Sequence, residues 1–192
     1  MILLLVAGGL LGAQPGATGT VEGHVRGVGA ATDRSNFVVY VDDLEGPYPD
    51  PQQHAVMNQK ELRFVPHVLV VQVGTPVEFP NSDPVSHNVF SISEAKRFNL
   101  GMYSRGTVRR LTFDQPGVVE LLCNVHVEMS AYIVVVKNPF FAYSGSDGAY
   151  RLEGVPAGRH RLRCWHERLS AEEQVVEVPE IGTVTVDFVM GK

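Results

Sequence analysis

Cysteine and basic residues are both scarce in this chain, and each shortage excludes a class of protein. Two cysteines, Cys123 and Cys164, among 192 residues are too few for a disulfide framework. The 16 basic residues are outnumbered by 21 acidic ones, giving a formal charge of −5. No basic surface for nucleic acid is therefore expected. A hydrophobic fraction of 44% also excludes an intrinsically disordered chain.

Long apolar runs are lacking as well. Residues 2–13 form an uncharged apolar run of 12 residues, which is too short to span a bilayer comfortably. Its length and the small residues after it are typical of a signal-peptide core, although a basic segment is missing apart from the amino terminus. We predict a signal peptide over residues 1–18, cleaved after Ala13 or shortly later, and a periplasmic or secreted mature chain without a membrane span. The alternative is that the run is retained as an uncleaved anchor.

Helical periodicity is almost absent from the sequence. Short runs rich in valine, phenylalanine and tyrosine recur instead, separated by turn signals such as residues 74–76 and 115–117. This alternation predicts an all-β sandwich fold. The Pro- and Gln-rich segment Gly46–Gln59 is predicted to be a surface loop. The predicted strands up to residue 137 are Phe37–Val41, Val68–Val73, Val77–Phe79, Val108–Phe113, Val118–Cys123 and Ala131–Val136.

The character of the sequence changes near Asn138-Pro139. Residues 147–158 read Asp-Gly-Ala-Tyr-Arg-Leu-Glu-Gly-Val-Pro-Ala-Gly and resemble the carboxypeptidase regulatory-like, transthyretin-like β-sandwich. Turn chemistry predicts that 147–148 closes one hairpin and that 156–158 opens the next strand. Strands are then expected near 159–166, 172–178 and 182–189.

These features predict two domains, a larger one over residues 19–137 and a module over residues 138–192. A module of about 50 residues is small for an independent hydrophobic core. The N-terminal strands Thr20–Arg26 and Phe37–Val41 are therefore candidates to complete the smaller sandwich, with the larger domain inserted between them.

The most informative feature is a group of soft metal ligands. Cys123, His126 and Met129 follow one another with two residues between neighbours, after an apolar run. His87 lies upstream, with 35 residues between it and Cys123. Thiolate and thioether ligands favour copper, and two His, one Cys and a weak axial Met form the ligand set of a blue-copper electron-transfer site. Zinc is the alternative because it binds Cys and His, but it has little use for a thioether.

This spacing resembles that of the cupredoxins, especially amicyanin and pseudoazurin, and more closely the cupredoxin-domain proteins often labelled methylamine utilization protein. The resemblance covers roughly residues 36–137. It implies a Greek-key β-sandwich and a copper cofactor cycling between Cu(I) and Cu(II), bound by His87, Cys123, His126 and Met129. Val127 departs from the pattern, because many relatives carry proline after the second histidine. The matching segments are Phe79–Asp83, His87–Ser91 and Cys123–Met129.

The resemblance also implies roles beyond ligation. Asn88 would tie down the Cys123 loop by hydrogen bonding, and Asn81 is a weaker candidate for similar support. His126 would be the electron exit, within an apolar docking patch that includes Val125 and Val127. The partners would be a redox donor protein and a redox acceptor protein. Since no coordination position would be open to a substrate, no enzymatic activity is expected.

Two other functions remain open on the sequence alone. A periplasmic copper carrier or chaperone would use exposed Met and His residues to pass on Cu(I), and a β-sandwich adhesion or assembly module would keep only the fold. Met57, His54 and His67 form a loose group that could hold a second metal, but their irregular spacing favours loop residues. Asp83 is interpreted as a turn residue. A Ser/His/Asp arrangement, a P-loop and a zinc-protease helix motif are all absent from the sequence.

Overall fold

The computed structural model describes residues 16–27, 37–49, 51 and 53–192. These residues form β-strands and turns without an α-helix, which confirms the all-β prediction. Within the same residues, no helix is available that could cross a membrane. The predicted signal peptide falls almost entirely outside the described residues and stays a prediction.

The first nine strands of the described residues lie between Thr18 and Tyr103. They are β1 (Thr18–Gly27), β2 (Val38–Val41), β3 (Ala55–Val56), β4 (Asn58–Lys60), β5 (Arg63–Val65), β6 (Val68–Gln72), β7 (Pro76–Pro80), β8 (His87–Ser91) and β9 (Phe98–Tyr103).

The remaining nine strands complete the described fold. They are β10 (Val108–Thr112), β11 (Gly117–Leu122), β12 (Ser130–Val136), β13 (Phe141–Tyr143), β14 (Ala149–Pro156), β15 (Gly158–Trp165), β16 (Gln174–Val178), β17 (Thr183–Thr185) and β18 (Phe188–Met190).

Two sheets enclose the first hydrophobic core. One has the order β6-β12-β11-β8-β9 and the other the order β10-β7-β3. Strand β12 runs antiparallel to β11 and parallel to β6. Val77 and Phe79 of the smaller sheet share one buried cluster with Val119, Leu121 and Ile133 of the larger sheet, so this core lies between the two sheets.

A second pair of sheets encloses a separate core. Strand β1 lies between β14 and β17 and also pairs with β18, while the other sheet has the order β13-β2-β15-β16. Alternate residues of β1 are buried, among them Val21 and Val25, as expected for a strand with one face on a core. Gly23 of the same strand is closely covered, because a Cβ atom there would lie 1.8 Å from the carbonyl oxygen of Val186.

The N-terminal strands β1 and β2 thus pair with strands of the C-terminal segment. β1 pairs with β14 and β2 pairs with β13 and β15, while β3 to β12 lie between them in the sequence. This is the pairing expected if the N-terminal strands complete the smaller sandwich. The boundaries of the two domains, at residues 19–137 and 138–192, stay a prediction.

Two local expectations were wrong. Gly46–Gln59 is not a surface loop throughout, since it includes β3 and the start of β4, and both Met57 and Gln59 are fully buried. Asp147-Gly148 forms a turn but does not close a hairpin, because β13 before it pairs with β2 and β14 after it pairs with β1. The expectation for residues 156–158 is confirmed, since β15 begins at Gly158.

Strand β12 is buried on both faces, so it contacts the first core on one face and strands of the second pair of sheets on the other. Ile133 and Val135 belong to the first core, whereas Val134 and Val136 belong to a third cluster with Val68 and Val70. That third cluster packs against partly buried aromatic side chains of β2, β13 and β15, namely Tyr40, Phe141 and Trp165. The continuous apolar run of β12 follows from this double burial.

Removing residues 138–192 should therefore destabilise the rest of the chain. Val68, Val70, Val134 and Val136 would lose the cover of Phe141 and Trp165, and full exposure of a buried valine costs about 1.5 kcal/mol or more. A shortened chain of residues 36–137 should unfold at a clearly lower urea concentration than the full chain. Unfolding is measured by fluorescence and circular dichroism. Equal urea midpoints for the two chains would contradict the expectation that residues 138–192 stabilise the rest of the protein.

Candidate metal centre

The sheet β6-β12-β11-β8-β9 positions the four predicted ligands. Cys123 directly follows β11, and His126 and Met129 lie in the loop that leads to β12. His87 is the first residue of β8, which pairs with β11 through Phe90 and Leu122. This pairing brings the histidine to the loop although 35 residues separate it from Cys123 in the sequence.

The structure brings His87, Cys123 and His126 together. Their candidate donor atoms all lie within 4.8 Å of one another, and among the described residues they form the one group of three or more such side chains. Nδ1 of His87 and Nδ1 of His126 are 3.0 Å apart. Two imidazole nitrogens at this distance need a proton on one of them or a cation that both can bind.

Burial differs sharply among the four side chains. His87, Cys123 and Met129 are buried, whereas His126 is half-buried and is the ligand candidate nearest solvent. The neighbours of His126 are exposed, Val125 by 51% and Val127 by 90%. The arrangement expected around the second histidine, an imidazole near the surface beside apolar side chains, is therefore present.

The loop that carries three of these residues is tightly closed. The backbone N–H of Met129 donates to the carbonyl of His126 at 3.0 Å. Met129 is buried in the same cluster as Cys123. Ligation of a metal by His87, Cys123, His126 and Met129 stays a prediction.

A buried carboxylate stands behind His87, and sequence reasoning missed its role. Nε2 of His87 lies 2.8 Å from Oδ2 of Asp83. The carboxylate also accepts the backbone N–H groups of Glu61 at 2.5 Å and Leu62 at 2.9 Å. Burial raises the pKa of Asp83, but the hydrogen bonds from Leu62, His87 and Glu61 together hold that pKa below its ordinary value. The signal available in the sequence was only an acid four residues before a histidine.

Asn81 organises the segment that leads to His87. Its side-chain amide donates to the carbonyls of Val85 and Tyr103, and its oxygen accepts the backbone N–H of Asp83. These bonds hold the segment before His87, and support of a bound metal by Asn81 stays a prediction.

The corresponding expectation for Asn88 is not met. Its side-chain oxygen is buried and lacks a hydrogen-bond partner among the described residues. This oxygen therefore forms no hydrogen bond to the Cys123 loop within the described residues, and Asn81 holds the segment before His87.

A second buried polar pair lies beside the site. Tyr103 is paired with His87 in the β8–β9 register. Its hydroxyl accepts from Nε2 of Gln59 at 2.5 Å and donates to the carbonyl of Phe79 at 3.1 Å. Burial raises the pKa of Tyr103 to about 12, against the opposing effects of Gln59 and Arg109. At neutral pH this side chain is therefore a neutral structural support.

The looser group of Met57, His54 and His67 is not brought together as a metal site. Met57 is buried in the first core. His54 lies 3.1 Å from the carboxylate of Glu78, and His67 lies 3.0 Å from that of Glu167. Each histidine therefore has its own acidic partner.

Comparisons with known proteins place this chain beside copper proteins only over part of its length. No family model matches it. No curated protein matches it either. Among solved structures, a reduced amicyanin variant is 23% identical, with 44% of this chain and 84% of that chain covered and a TM-score of 0.41.

Two further solved structures match at a similar level. The purple cupredoxin from Nitrosopumilus maritimus is 26% identical, covering 42% of this chain and 98% of its own, with a TM-score of 0.38. A copper-containing nitrite reductase from Thermus scotoductus SA-01 is 23% identical, covering 60% of this chain and 28% of its own, with a TM-score of 0.43. Because these TM-scores lie below 0.5, the case for a metal site rests on the chain's own residues.

Proposed function

We propose that this chain is an exported type 1 copper protein that carries single electrons between two redox proteins. The observation that carries the proposal is the convergence of the Cys123 sulfur and the imidazoles of His87 and His126 within 4.8 Å. Met129, a soft ligand on the same loop, is buried in the cluster that contains Cys123. Thiolate, two imidazoles and a thioether suit copper better than zinc.

The donor set fits a bound copper ion, which would supply a one-electron couple between Cu(I) and Cu(II). Fast electron transfer needs ligands that move little when the charge of the metal changes. The residues supply this in three ways. His87 begins a paired strand, Cys123 directly follows another, and the Met129-to-His126 hydrogen bond closes the loop between β11 and β12.

The burial pattern favours an electron carrier over a copper carrier. A protein that hands copper to a partner needs several ligands that the partner can reach and replace. Here His87, Cys123 and Met129 are buried, and only His126 of the four candidates is half-exposed. We do not assign an enzymatic activity, since a substrate would need an approach to the metal that these buried side chains restrict.

Export and the second module form the remaining part of the proposal. The apolar run at residues 2–13 supports export to a periplasm or its equivalent. The turn pattern of residues 147–158, together with the pairing of β1 and β2 to β14 and β15, supports a carboxypeptidase regulatory-like sandwich over residues 138–192.

Copper loading should give an intensely coloured protein that reductant bleaches, and Cys123→Ser should abolish the colour, because the thiolate supplies the charge-transfer band. Optical and EPR spectra of the loaded protein measure this. An unchanged spectrum in Cys123→Ser would rule out the proposed centre.

Cys164→Ser is the matched control for this experiment. Cys164 is also a free, buried cysteine, but it belongs to the second core. Burial raises the pKa of its thiol to about 12, so it does not offer a thiolate at neutral pH. The Cys164→Ser protein should keep the wild-type colour.

Met129→Leu should leave copper bound and raise the reduction potential, because a weak donor to Cu(II) is lost. Leucine fills a similar volume in the buried site, so the fold should change little. His87→Ala should weaken copper binding by more than about 100-fold. That factor is the upper limit usually seen when a residue that only supports a ligand is changed. Electrochemistry and competition titrations measure both effects. Complete loss of binding in Met129→Leu would instead indicate a methionine-dependent Cu(I) carrier.

Val125→Lys should slow electron exchange with the redox partner by about tenfold while leaving the spectrum intact. Val125 and Val127 form an exposed apolar surface beside His126, and small apolar interfaces suit brief docking. Ile181→Lys is the control, since Ile181 is 90% exposed and lies between β16 and β17, outside the sheets that hold the site. Stopped-flow rates decide the matter, and an unaffected rate in Val125→Lys would place the electron exit elsewhere.

A further inference from the structure

The turn between β4 and β5 has a backbone conformation that its residues do not favour. The hairpin pairs Lys60 with Arg63, so its two central residues are Glu61 and Leu62. Both have φ of 56°, a left-handed conformation that two-residue hairpin turns normally give to Asn or Gly. Such a conformation persists in other residues only where the surroundings hold it in place.

Packing of the two side chains does not explain this turn. The side chains of Glu61 and Leu62 are both exposed. Their consecutive backbone N–H groups instead donate to the two carboxylate oxygens of Asp83, at 2.5 and 2.9 Å. Successive N–H groups in a turn form a concavity that binds anions. The turn is therefore folded around the Asp83 carboxylate.

The same carboxylate accepts from His87, and this fixes which imidazole nitrogen faces the site. Oδ2 of Asp83 is 2.8 Å from Nε2 of His87 in a buried pair. A carboxylate accepts hydrogen bonds, so Nε2 carries the proton and Nδ1 offers its lone pair. Nδ1 is the atom that points to Nδ1 of His126 at 3.0 Å.

A carboxylate behind an imidazole also changes the imidazole as a ligand. The hydrogen bond makes the ring a stronger donor and fixes its orientation. A stronger donor stabilises the more highly charged metal ion more than the less charged one. Asp83 should thus favour Cu(II) over Cu(I).

We propose that the Lys60–Arg63 turn and Asp83 form one support that orients His87 and strengthens it as a donor to the oxidised metal, an inference that rests on the proposed function. Asp83 is a positioning residue in this arrangement, because it acts on the metal through His87. The turn amides fix the carboxylate, and the carboxylate fixes the ring.

Asp83→Asn tests the support in the copper-loaded full chain, since it keeps the size of the side chain and removes its charge. We expect Cu(II) affinity to fall about tenfold relative to Cu(I) affinity. This is the lower end of the range of effects usually caused by changing a residue that supports a metal ligand. A tenfold change equals a rise of about 59 mV in the reduction potential. Asp114→Asn is the control for a charge change at a distance, since Asp114 is an exposed acid paired with Lys96; it should leave the potential unchanged.

A measurement on the metal-free wild-type chain separates this inference from the proposed function. Nitrogen-15 NMR of the histidine rings should show the proton of His87 on Nε2, whether or not copper later binds. A chain that shows this proton but binds no copper would refute the proposed function and leave the Asp83–His87 contact established. An unprotonated Nε2, or an unchanged ratio of Cu(II) to Cu(I) affinity in Asp83→Asn, would overturn the proposal that Asp83 supports His87.

The double variant Glu61→Gly with Leu62→Gly provides a second background. It keeps both N–H donors, and glycine adopts the left-handed conformation without steric cost, so the variant should unfold at the same or a higher urea concentration and keep the wild-type potential. If Asp83→Asn alone does not fold, the same substitution is measured in this background, where the same rise in potential is expected. An unchanged potential there would also overturn the proposal.

Discussion

The candidate site depends on one strand contact, the pairing of Leu122 in β11 with Phe90 in β8. It sets the strand that begins at His87 beside the strand that ends before Cys123. Burial of Val89, Val119 and Leu121 in the first core stabilises the two strands in this position. Folding of the sheet thus meets the entropic cost of bringing distant ligand candidates together.

Support for the site extends outward from His87 through successive contacts. Asp83 holds the imidazole, the Glu61 and Leu62 amides hold Asp83, and Asn81 holds the segment between them. Each contact is buried or partly buried and satisfies polar groups that would otherwise be costly to remove from water. Among the described residues, the side-chain oxygens of Asn88 and Gln59 are exceptions. A rigid histidine on this side contrasts with the half-exposed His126 on the other.

The parts of this structure that the sequence predicted well are local. Cys123, His126 and Met129 lie in one loop, so their spacing alone indicates a shared site, and most of the stronger Val-rich strands were found. Asp83 was misread because its partners, Glu61 and Leu62, are about 20 residues away and break the usual turn chemistry. Met57 and Gln59 were misplaced because proline and glutamine nearby suggested a loop, whereas tertiary contacts bury both residues. The pairing of β1 with β14 joins strands far apart in the chain, so the argument for it came from the small size of the C-terminal module and not from periodicity.

The burial gradient across the four ligand candidates fits two opposing requirements of the proposed electron carrier. Retaining a metal and limiting its rearrangement favour ligands buried in a packed environment, and the candidates His87, Cys123 and Met129 are buried. Exchanging electrons requires close approach of a partner, which full burial would prevent. His126 meets the second requirement because its neighbours Val125 and Val127 expose apolar side chains to solvent. In the proposed function, the buried candidates would thus hold the metal on one side, and His126 would give partners access on the other.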